Sequence, residues 1–332
     1  MRKKIAVIGA GSWGTTLASM CSRHGPVVLW AREDEVAKEI NHRHTNSVYL
    51  SGFVLPASLR ATRSFQEAAE GAEVVVLAIP SPYLRKVLEQ AASQVERKAA
   101  VVSVAKGFEP SSLLRMTEVI GEILPQNPRA VLSGPNLSRE VMAGYAAGAV
   151  VACQNAGVAK DLQGVFKRGL YRVYTTHDVI GVEVAGAVKN VVAIAAGMAD
   201  GVGVGDNTRA LVITRGLAEL TRLGVAMGGE PRTFAGLAGL GDLLATCISP
   251  LSRNRSVGEQ LGKGRKLGEI VAEMRTVAEG IHTCSVVLEL ARRFEVPMPI
   301  SQEIHRVLYE GLSAIDAYRG LVRHHPPGSE IE

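Results

Sequence analysis

The sequence contains few aromatic residues and no long block of like charge. Aromatic residues make up 5% of the 332 residues, too few for a surface on which nucleic-acid bases stack. The net charge is +5, yet lysine and arginine are scattered along the chain rather than clustered. We therefore expect a solvated surface with local anion sites and no nucleic-acid partner.

Cysteine and histidine occur without the spacings that hold metals or form disulfide frameworks. The histidines form no H-E-x-x-H motif, and the cysteines lie far apart without a C-x-x-C pair, at Cys21, Cys153, Cys247 and Cys284. These absences predict buried free thiols in a reducing cytoplasm and no bound metal. The G-x-S-x-G motif of serine hydrolases and the G-x-x-x-x-G-K-[ST] motif of nucleotide triphosphatases are also missing.

Long apolar runs are missing as well. The most apolar stretch, residues 184–199, carries Lys189 and Asn190 near its middle and falls short of the ~18 uninterrupted residues that a membrane-spanning helix needs. The apolar run after the basic N-terminus is too short for a signal peptide and gives way to glycines, which predicts a strand. We expect a soluble, cytoplasmic protein without stable insertion in a membrane.

Glycine, in contrast, is abundant, with 35 residues in 332 against a usual share near ~7%. Such a surplus without a repeat predicts places where the backbone turns sharply or approaches another group closely. At the usual ~150 residues per domain, the length predicts two domains.

The first half of the chain alternates short β-branched runs with amphipathic stretches. The runs lie at residues 4–8, 27–31, 74–79, 100–104, 130–132, 149–152 and 171–174, and the helical patterns lie at 15–23, 81–95, 111–124 and 157–168. Apolar strands separated by helices predict a doubly wound, mostly parallel sheet covered on both faces. Such a sheet binds ligands beyond the carboxyl ends of its strands.

After about residue 178 the strand patterns stop. Helical patterns with glycine-rich joints follow at residues 182–199, 210–222, 257–261, 267–274, 284–294 and 301–309. The sequence therefore predicts an α/β domain over residues 1–180 and an all-helical substrate and catalytic domain over residues 181–322. Residues 323–332 are expected to form a flexible tail.

A G-x-G-x-x-G motif, Gly9-Ala10-Gly11-Ser12-Trp13-Gly14, directly follows the first predicted strand and opens a helical stretch. In this context Gly9 permits a tight turn, Gly11 lets the backbone approach a pyrophosphate, and Gly14 allows the helix to pack closely on the strand. The motif predicts a Rossmann-like NAD(P)-binding domain, with a plain strand-to-helix turn as the alternative.

The residues after the second predicted strand bear on the choice of cofactor. Arg32 suits the 2′-phosphate of NADP(H), which the sequence therefore favours. Glu33 and Asp34 follow at once, and either carboxylate would instead bond the ribose hydroxyls of NAD(H). Use of NAD(H) thus stays open.

Lys189 is the first candidate for catalysis. Small and apolar side chains surround it in the sequence. A lysine in such surroundings is desolvated unless it is paired, and desolvation brings the pKa of an amine toward the range in which it exchanges protons near neutral pH. The alternative is a lysine whose stem covers apolar surface while its charge reaches water.

Three other places carry groups suited to an anionic substrate. Lys106 follows a predicted strand at the ligand-binding edge of the sheet, where a cation holds a phosphate or polarises a carbonyl. Asp242 follows a glycine-rich approach and is either a helix N-cap or in close contact with a ligand or with Lys189. Ser252, Arg253 and Asn254 gather hydroxyl, guanidinium and amide donors, which suits either an anion site or an ordinary polar cap.

The segment around Lys189 resembles the signature of the bacterial-type NAD(P)-dependent glycerol-3-phosphate dehydrogenases. It is Gly186-Ala187-Val188-Lys189-Asn190-Val191-Val192-Ala193, continued through Gly197, Asp200-Gly201 and Gly205-Asp206-Asn207. The resemblance implies reversible hydride transfer between NAD(P)H and dihydroxyacetone phosphate, giving sn-glycerol 3-phosphate for glycerophospholipid synthesis. It also implies a small-molecule substrate and no metal.

The same resemblance implies roles for individual residues. Lys189 corresponds to the residue that exchanges a proton with the substrate, and Asp242 to the carboxylate beside it. Substrate contacts are implied at Lys106, Gly134, Asn136, Lys189, Asp242, Ser252, Arg253 and Asn254. Cofactor contacts are implied at Ser12, Trp13, Arg32, Lys106, Ser138, Arg253, Val277 and Glu279, in addition to the glycines of the motif.

Two positions depart from the family pattern, and two other functions remain as alternatives. Asn136 stands where serine or threonine is commoner, and Ser138 stands where alanine is commoner. A related 3-hydroxy-acid dehydrogenase typically has asparagine four residues after its lysine, where this chain has Ala193. The other alternative is a noncatalytic NADPH-binding sensor. The sequence does not determine the oligomeric state, and a homodimer is compatible with it.

Overall fold

A computed structural model describes residues 3–22, 25–274 and 278–324. The chain divides into two compact units, Met1–Glu183 and Val184–Glu332. The first contains the sheet, and the second is helical in its described part.

The described part of the first unit contains one eight-stranded sheet, in the order β3-β2-β1-β4-β5-β6-β7-β8. Neighbouring strands are parallel except β6 and β7, which are antiparallel. The strands are β1 (Ile5–Ile8), β2 (Val27–Trp30), β3 (Arg60–Thr62), β4 (Val74–Leu77), β5 (Ala100–Ser103), β6 (Arg129–Ser133), β7 (Ala147–Ala152) and β8 (Tyr171–Thr176).

Helices cover both faces of this sheet because successive strand residues point to opposite sides. One apolar cluster joins Val7 and Val76 to Leu17 of the first helix, and another joins Ile8 to Leu84 of the fourth. The helices are α1 (Ser12–Ser22), α2 (Asp34–Arg43), α3 (Phe65–Ala69), α4 (Ser81–Ala91, followed by a 3₁₀ turn), α5 (Met116–Ile123), α6 (Ser138–Met142) and α7 (Ala156–Phe166).

The second unit consists of helices in its described part, and its first helix begins in the first unit. The helices are α8 (Val179–Val202), α9 (Asp206–Ala226), α10 (Pro231–Phe234), α11 (Asp242–Ile248), α12 (Arg253–Gly262), α13 (Leu267–Glu273), α14 (Glu279–Arg293), α15 (Pro299–Tyr309) and α16 (Ala314–His324). Helix α8 is long and apolar enough to cross a membrane, but 94% of its most apolar window is buried inside the protein. Burial of this kind is typical of the core helix of a globular protein.

The predicted fold class, a mostly parallel doubly wound sheet followed by helices, is confirmed. Several elements differ from the prediction. Helix α5 begins at Met116 rather than at residue 111, because residues 109–114 form a turn closed by hydrogen bonds between the backbones of Glu109 and Leu114 and of Leu113 and Glu109. Helix α16 extends to His324, and the rest of the predicted tail lies outside the described residues.

Candidate active site

The glycine motif forms the turn between β1 and α1. Gly9 has φ 117°, and a Cβ there would lie 2.4 Å from the carbonyl oxygen of Ala78. A Cβ on Gly14 would lie 1.9 Å from the carbonyl oxygen of Gly9. Glycine is therefore required at both positions, one for the turn and the other for the close approach of α1 to the turn.

The same turn fits a dinucleotide. A Cβ on Gly11 would meet no described atom within 4 Å, so the backbone here is open to a ligand. Ser12 begins α1, whose first backbone N–H groups and dipole favour a phosphate. Among the described residues, the indole Nε1 of Trp13 is buried and has no hydrogen-bond partner. A buried donor of this kind suits an acceptor on a bound ligand.

Arg32 and Glu33 follow β2 and form an ion pair. The Glu33 Oε1 atom accepts hydrogen bonds from Arg32 Nε at 2.9 Å and Nη2 at 2.5 Å, and from the Tyr49 hydroxyl at 3.1 Å. Although partial burial raises the pKa of the Glu33 carboxyl, the bonds from Arg32 and Tyr49 outweigh it and lower the pKa below its usual value. Asp34 instead begins α2 and pairs with Lys38 at 2.6 Å.

A second group of predicted residues lies beyond the carboxyl ends of β5 and β6. Lys106 Nζ donates to the carbonyl oxygen of Gly134 at 2.9 Å. The Asn136 Oδ1 atom accepts from the Tyr171 hydroxyl at 2.9 Å, and its Nδ2 is buried without a partner among the described residues. Ser138 begins α6. The region therefore presents a cation and an amide donor at the edge of the sheet that binds ligands.

Lys189 lies on α8 and its ammonium group is buried, with 4% of the residue exposed. Its Nζ donates to the Asp242 Oδ1 at 2.6 Å and to the Thr246 Oγ1 at 2.7 Å. The Thr246 hydroxyl in turn donates to the carbonyl oxygen of Asp242 at 2.6 Å. The charge does not reach water along the lysine stem, and Asp242 is a partner of Lys189 rather than a side-chain cap of α11.

A single π-helical turn, Leu237–Gly241, leads directly into α11 and places Asp242 at its first position. Turns of this type are rare and occur most often at functional sites. Asp242 and Thr246 are four residues apart on α11, so they lie on the same face of the helix and both reach Lys189.

Glycines let α12 pack directly on the backbone of α8. A Cβ on Gly197 would lie 2.0 Å from the carbonyl oxygen of Arg255, and a Cβ on Gly258 would lie 2.0 Å from that of Ile194. The two helices therefore touch through their main chains. This contact holds the first residues of α12 close to α8.

The Ser252-Arg253-Asn254 string forms the start of α12. The Ser252 hydroxyl accepts from the backbone N–H of Arg255 at 3.3 Å and is the N-cap of the helix. Asn254 is buried, and its amide donates to Asn190 Oδ1 at 2.9 Å while accepting from the backbone N–H of Gly280 at 3.0 Å. The string is thus a helix cap that also ties α8, α12 and α14 together.

Of three other predicted positions, two lie at helix starts and one lies outside the described residues. Arg253 is exposed at the first position of α12, and Glu279 is the first residue of α14. Val277 lies outside the described residues. Among the described residues, no three histidine, cysteine, aspartate or glutamate side chains are grouped as they would be around a metal ion.

Comparison with known proteins gives the same assignment over both units. Residues 4–159 match the sequence model described as the NAD-dependent glycerol-3-phosphate dehydrogenase N-terminus, and residues 178–319 match that of the C-terminus. The chain belongs to this family. Glycerol-3-phosphate dehydrogenases [NAD(P)+] of Sphingopyxis alaskensis and Mycobacterium avium are each 51% identical to it, covering 97% and 99% of this chain and 97% and 96% of their own.

A solved relative has the same fold. The crystal structure of glycerol-3-phosphate dehydrogenase from Coxiella burnetii superposes with a TM-score of 0.93 at 36% identity, covering 97% of this chain and 99% of that one. This chain is therefore an oxidoreductase of the glycerol-3-phosphate dehydrogenase family. The alternatives of a 3-hydroxy-acid dehydrogenase and of a noncatalytic sensor are wrong.

The structure shows three polar residues in contact with predicted site residues that the sequence did not identify. Thr246 contacts Lys189, Tyr171 contacts Asn136, and Tyr49 contacts Glu33. Thr246 was within reach of sequence reasoning, since it lies one helical turn after Asp242. The two tyrosines were not, because their partners are distant in the sequence.

Proposed function

We propose that the chain catalyses the reversible reduction of dihydroxyacetone phosphate to sn-glycerol 3-phosphate with NAD(P)H. The observation that carries this proposal is the buried group formed by Lys189, Asp242 and Thr246. Burying a lysine with a carboxylate costs stability, because both charges lose their hydration and their attraction repays that loss only in part. Groups of this kind are typical of catalytic sites.

Lys189 gives its proton to the carbonyl oxygen during reduction and takes it back from the hydroxyl during oxidation. Asp242 stabilises the ammonium form and, with Thr246, fixes the position of Nζ. When bound, the reduced nicotinamide supplies the hydride that the carbonyl carbon receives.

The substrate phosphate is bound by Ser252, Arg253 and Asn254, at the start of α12 where the helix dipole also favours an anion. Lys106, Gly134 and Asn136 are further substrate contacts. The Nδ2 of Asn136 has no hydrogen-bond partner among the described residues, which supports this role, since an amide can replace the hydroxyl donor commoner at that position.

The preferred cofactor is NADP(H), and NAD(H) is the second cofactor that the chain accepts. Gly9, Gly11 and Gly14 with Ser12 and Trp13 hold the pyrophosphate end, and Arg32 faces the 2′-phosphate. Lys106, Ser138, Arg253, Val277 and Glu279 complete the cofactor contacts. The reaction supplies glycerophospholipid synthesis in the cytoplasm. The four cysteines support that location because they are buried free thiols, as expected in a reducing compartment.

One assay tests the reaction. The protein is mixed with dihydroxyacetone phosphate and either NADPH or NADH, and the loss of reduced-nicotinamide absorbance is followed. We expect turnover with both cofactors and a higher kcat/KM with NADPH. Absence of turnover with either cofactor would show that the proposed reaction is wrong.

Replacement of Lys189 tests the proton transfer. Lys189→Ala should lower kcat by at least about 100-fold, since general acid catalysis contributes about that much. Binding of NADPH, followed by its fluorescence, should change little. Lys263→Ala is the matched control, because Lys263 is exposed and pairs only with Glu259 among the described partners. A fully active Lys189→Ala variant would contradict the assignment.

A further inference from the structure

The Arg32–Glu33 pair is also contacted by the segment that contains Asn46 and Tyr49, and hydrogen bonds fix the position of this segment. Asn46 is fully buried, and its Nδ2 donates to the carbonyl oxygen of Ala10 at 2.9 Å and to the Thr15 hydroxyl at 2.9 Å. Its Oδ1 accepts from the backbone N–H of Tyr49 at 3.2 Å. Tyr49 is thereby tied to the glycine turn, and its hydroxyl reaches Glu33 from that anchor.

Arg32 and Glu33 also follow β2 at the same edge of the sheet as the glycine turn. Strands β1 and β2 are parallel, with Ile8 opposite Trp30. The turn begins one residue after Ile8, and Arg32 and Glu33 lie two and three residues after Trp30. A dinucleotide whose pyrophosphate lies on the turn has its adenosine ribose at the end of the second strand.

From this arrangement we infer that Glu33, held by Tyr49, limits the preference of this chain for NADP(H) and keeps NAD(H) usable. The inference rests on the proposed function only in taking the cofactor to be NAD(P). It assigns the selectivity to two residues, Glu33 and Tyr49, in addition to Arg32.

Two electrostatic effects of Glu33 act against a 2′-phosphate. The carboxylate occupies the edge of Arg32 formed by Nε and Nη2, so a phosphate must displace it to gain a bidentate contact at that edge. The carboxylate then remains beside the phosphate as a like charge, which costs binding energy. Toward NAD(H) the same carboxylate is favourable, because it accepts hydrogen bonds from ribose hydroxyls.

The Arg32 side chain is 78% exposed, whereas that of Glu33 is 31% exposed and bonded to Tyr49. Of the pair, Arg32 is therefore the more easily displaced. Binding of a 2′-phosphate moves the arginine and leaves the carboxylate in place, so the penalty persists in the complex.

Binding of two fragments tests the inference without turnover. Adenosine 2′,5′-bisphosphate and 5′-AMP share the 5′-phosphate and differ in the 2′-phosphate. Calorimetry gives the ratio of their dissociation constants for the wild type, Glu33→Gln and Arg32→Gln. Glu33→Gln should shift the ratio about fivefold to tenfold toward the bisphosphate, and Arg32→Gln should shift it the opposite way. Tyr49→Phe should act in the direction of Glu33→Gln by about twofold.

Asp34→Asn is the matched control. It makes the same change of charge one residue further on, but Asp34 pairs with Lys38 on α2. An equal shift in Asp34→Asn and Glu33→Gln would mean that net charge alone is responsible and would overturn the inference. An unchanged ratio in Glu33→Gln, with a thermal melting curve like that of the wild type, would also overturn it.

The same variants separate this inference from the proposed reaction. If the fragments behave as expected but no variant reduces dihydroxyacetone phosphate, the selectivity stands and the proposed substrate is wrong. If turnover is present but Glu33→Gln changes neither the NADPH-to-NADH ratio of kcat/KM nor the ratio of fragment dissociation constants, the reaction stands and the selectivity assignment is wrong.

Discussion

Two threonines of the second unit differ in what their hydroxyl groups contact. Thr246 accepts a hydrogen bond from Lys189 Nζ at 2.7 Å and donates to the backbone of its own helix. Thr221 of α9 donates to the carbonyl oxygen of Leu217 at 2.8 Å, the usual bond of a threonine within a helix. The comparison isolates what the contact with Lys189 contributes.

Thr246→Val should lower kcat by about 10- to 100-fold, because a hydrogen bond to a charged group contributes about 1.5–3 kcal/mol. The KM for dihydroxyacetone phosphate should change less, since the hydroxyl holds the proton donor rather than the phosphate. Steady-state kinetics separate the two constants. Thr246→Ser should recover most of the activity, and Thr221→Val should leave it near that of the wild type. Equal losses in Thr246→Val and Thr221→Val would contradict this role.

At the scale of residues, the sequence predicted which residues belong to the site more completely than it predicted which side chains contact one another. The glycine motif and the Lys189 segment could be found because their spacing is local. The Lys189–Asp242 contact joins residues 53 positions apart, so it was implied by the family resemblance and not by the spacing of the two residues. The Asn254 amide is a clearer example, since both of its bonds go to helices that the sequence did not place beside it.

At the scale of elements, the contact between α8 and α12 depends on glycine. Gly258→Ala should destabilise the protein by about 2–4 kcal/mol, because the added Cβ would lie 2.0 Å from the carbonyl oxygen of Ile194 and must separate the helices. Chemical denaturation measures the loss. Activity should fall as well, since the start of α12 moves relative to α8.

Gly164→Ala provides the contrast. Gly164 lies in α7, and a Cβ there would meet no described atom within 4 Å. The same substitution should therefore stabilise the protein by about 0.5–1 kcal/mol, through helix propensity alone. Destabilisation of both variants to the same extent would show that the close approach of α8 and α12 is not what requires Gly258.

The start of α15 is held by a buried carboxylate of α9. Glu219 accepts hydrogen bonds from the backbone N–H groups of Ile300 and Ser301 at 2.5 and 3.2 Å and from the Ser301 hydroxyl at 3.0 Å. Burial raises the pKa of this carboxyl to about 7, although those bonds oppose the rise. The folded protein therefore binds a proton at Glu219 that the unfolded chain releases above its ordinary pKa.

A raised pKa in the folded state contributes stability that is present below the unfolded pKa and is lost as the pH rises through the folded pKa. The difference in unfolding free energy between the wild type and Glu219→Gln should thus fall by about 3 kcal/mol between pH 4.5 and pH 8. Urea unfolding across this range measures the slope.

Glu289→Gln is the control for this slope, because bonds from Arg292 and Arg293 lower the pKa of Glu289 to about 2. Its titration lies outside the range, so its difference from the wild type should be flat. A flat difference for Glu219→Gln as well would contradict the raised pKa.

The elements that the sequence missed share a physical reason. Helix α2 is mostly polar and buries only Val36, Ala37 and Ile40, so its apolar stripe is narrow. Strand β3 has three residues, and α3 and α6 have five each, too short for a periodic pattern. The structure of these elements comes from their packing against neighbours, which the local sequence does not contain.

At the scale of the whole molecule, the sequence predicted a mostly parallel sheet followed by helices because continuous apolar strands alternate with helices only in such folds. It did not predict which strand reverses. The run that forms β7 looks like the others, and the segment before it contains only the five-residue α6. Strand direction there depends on the pairing of Val131 with Ala152, which is a long-range contact.

Because β7 is reversed, the residues that follow β7 and the residues that precede β8 lie at opposite rims of the sheet. The two places therefore have different uses in protein engineering. Residues 153–155 lie at the rim where β6 begins, as the contact of Cys153 with the carbonyl oxygen of Arg129 shows, whereas residues 167–170 enter β8 at the rim of the glycine turn. A fluorophore or surface tether attached near Asn155 therefore lies on the side away from the nucleotide turn. The same attachment at residues 167–170 would lie on the side of that turn.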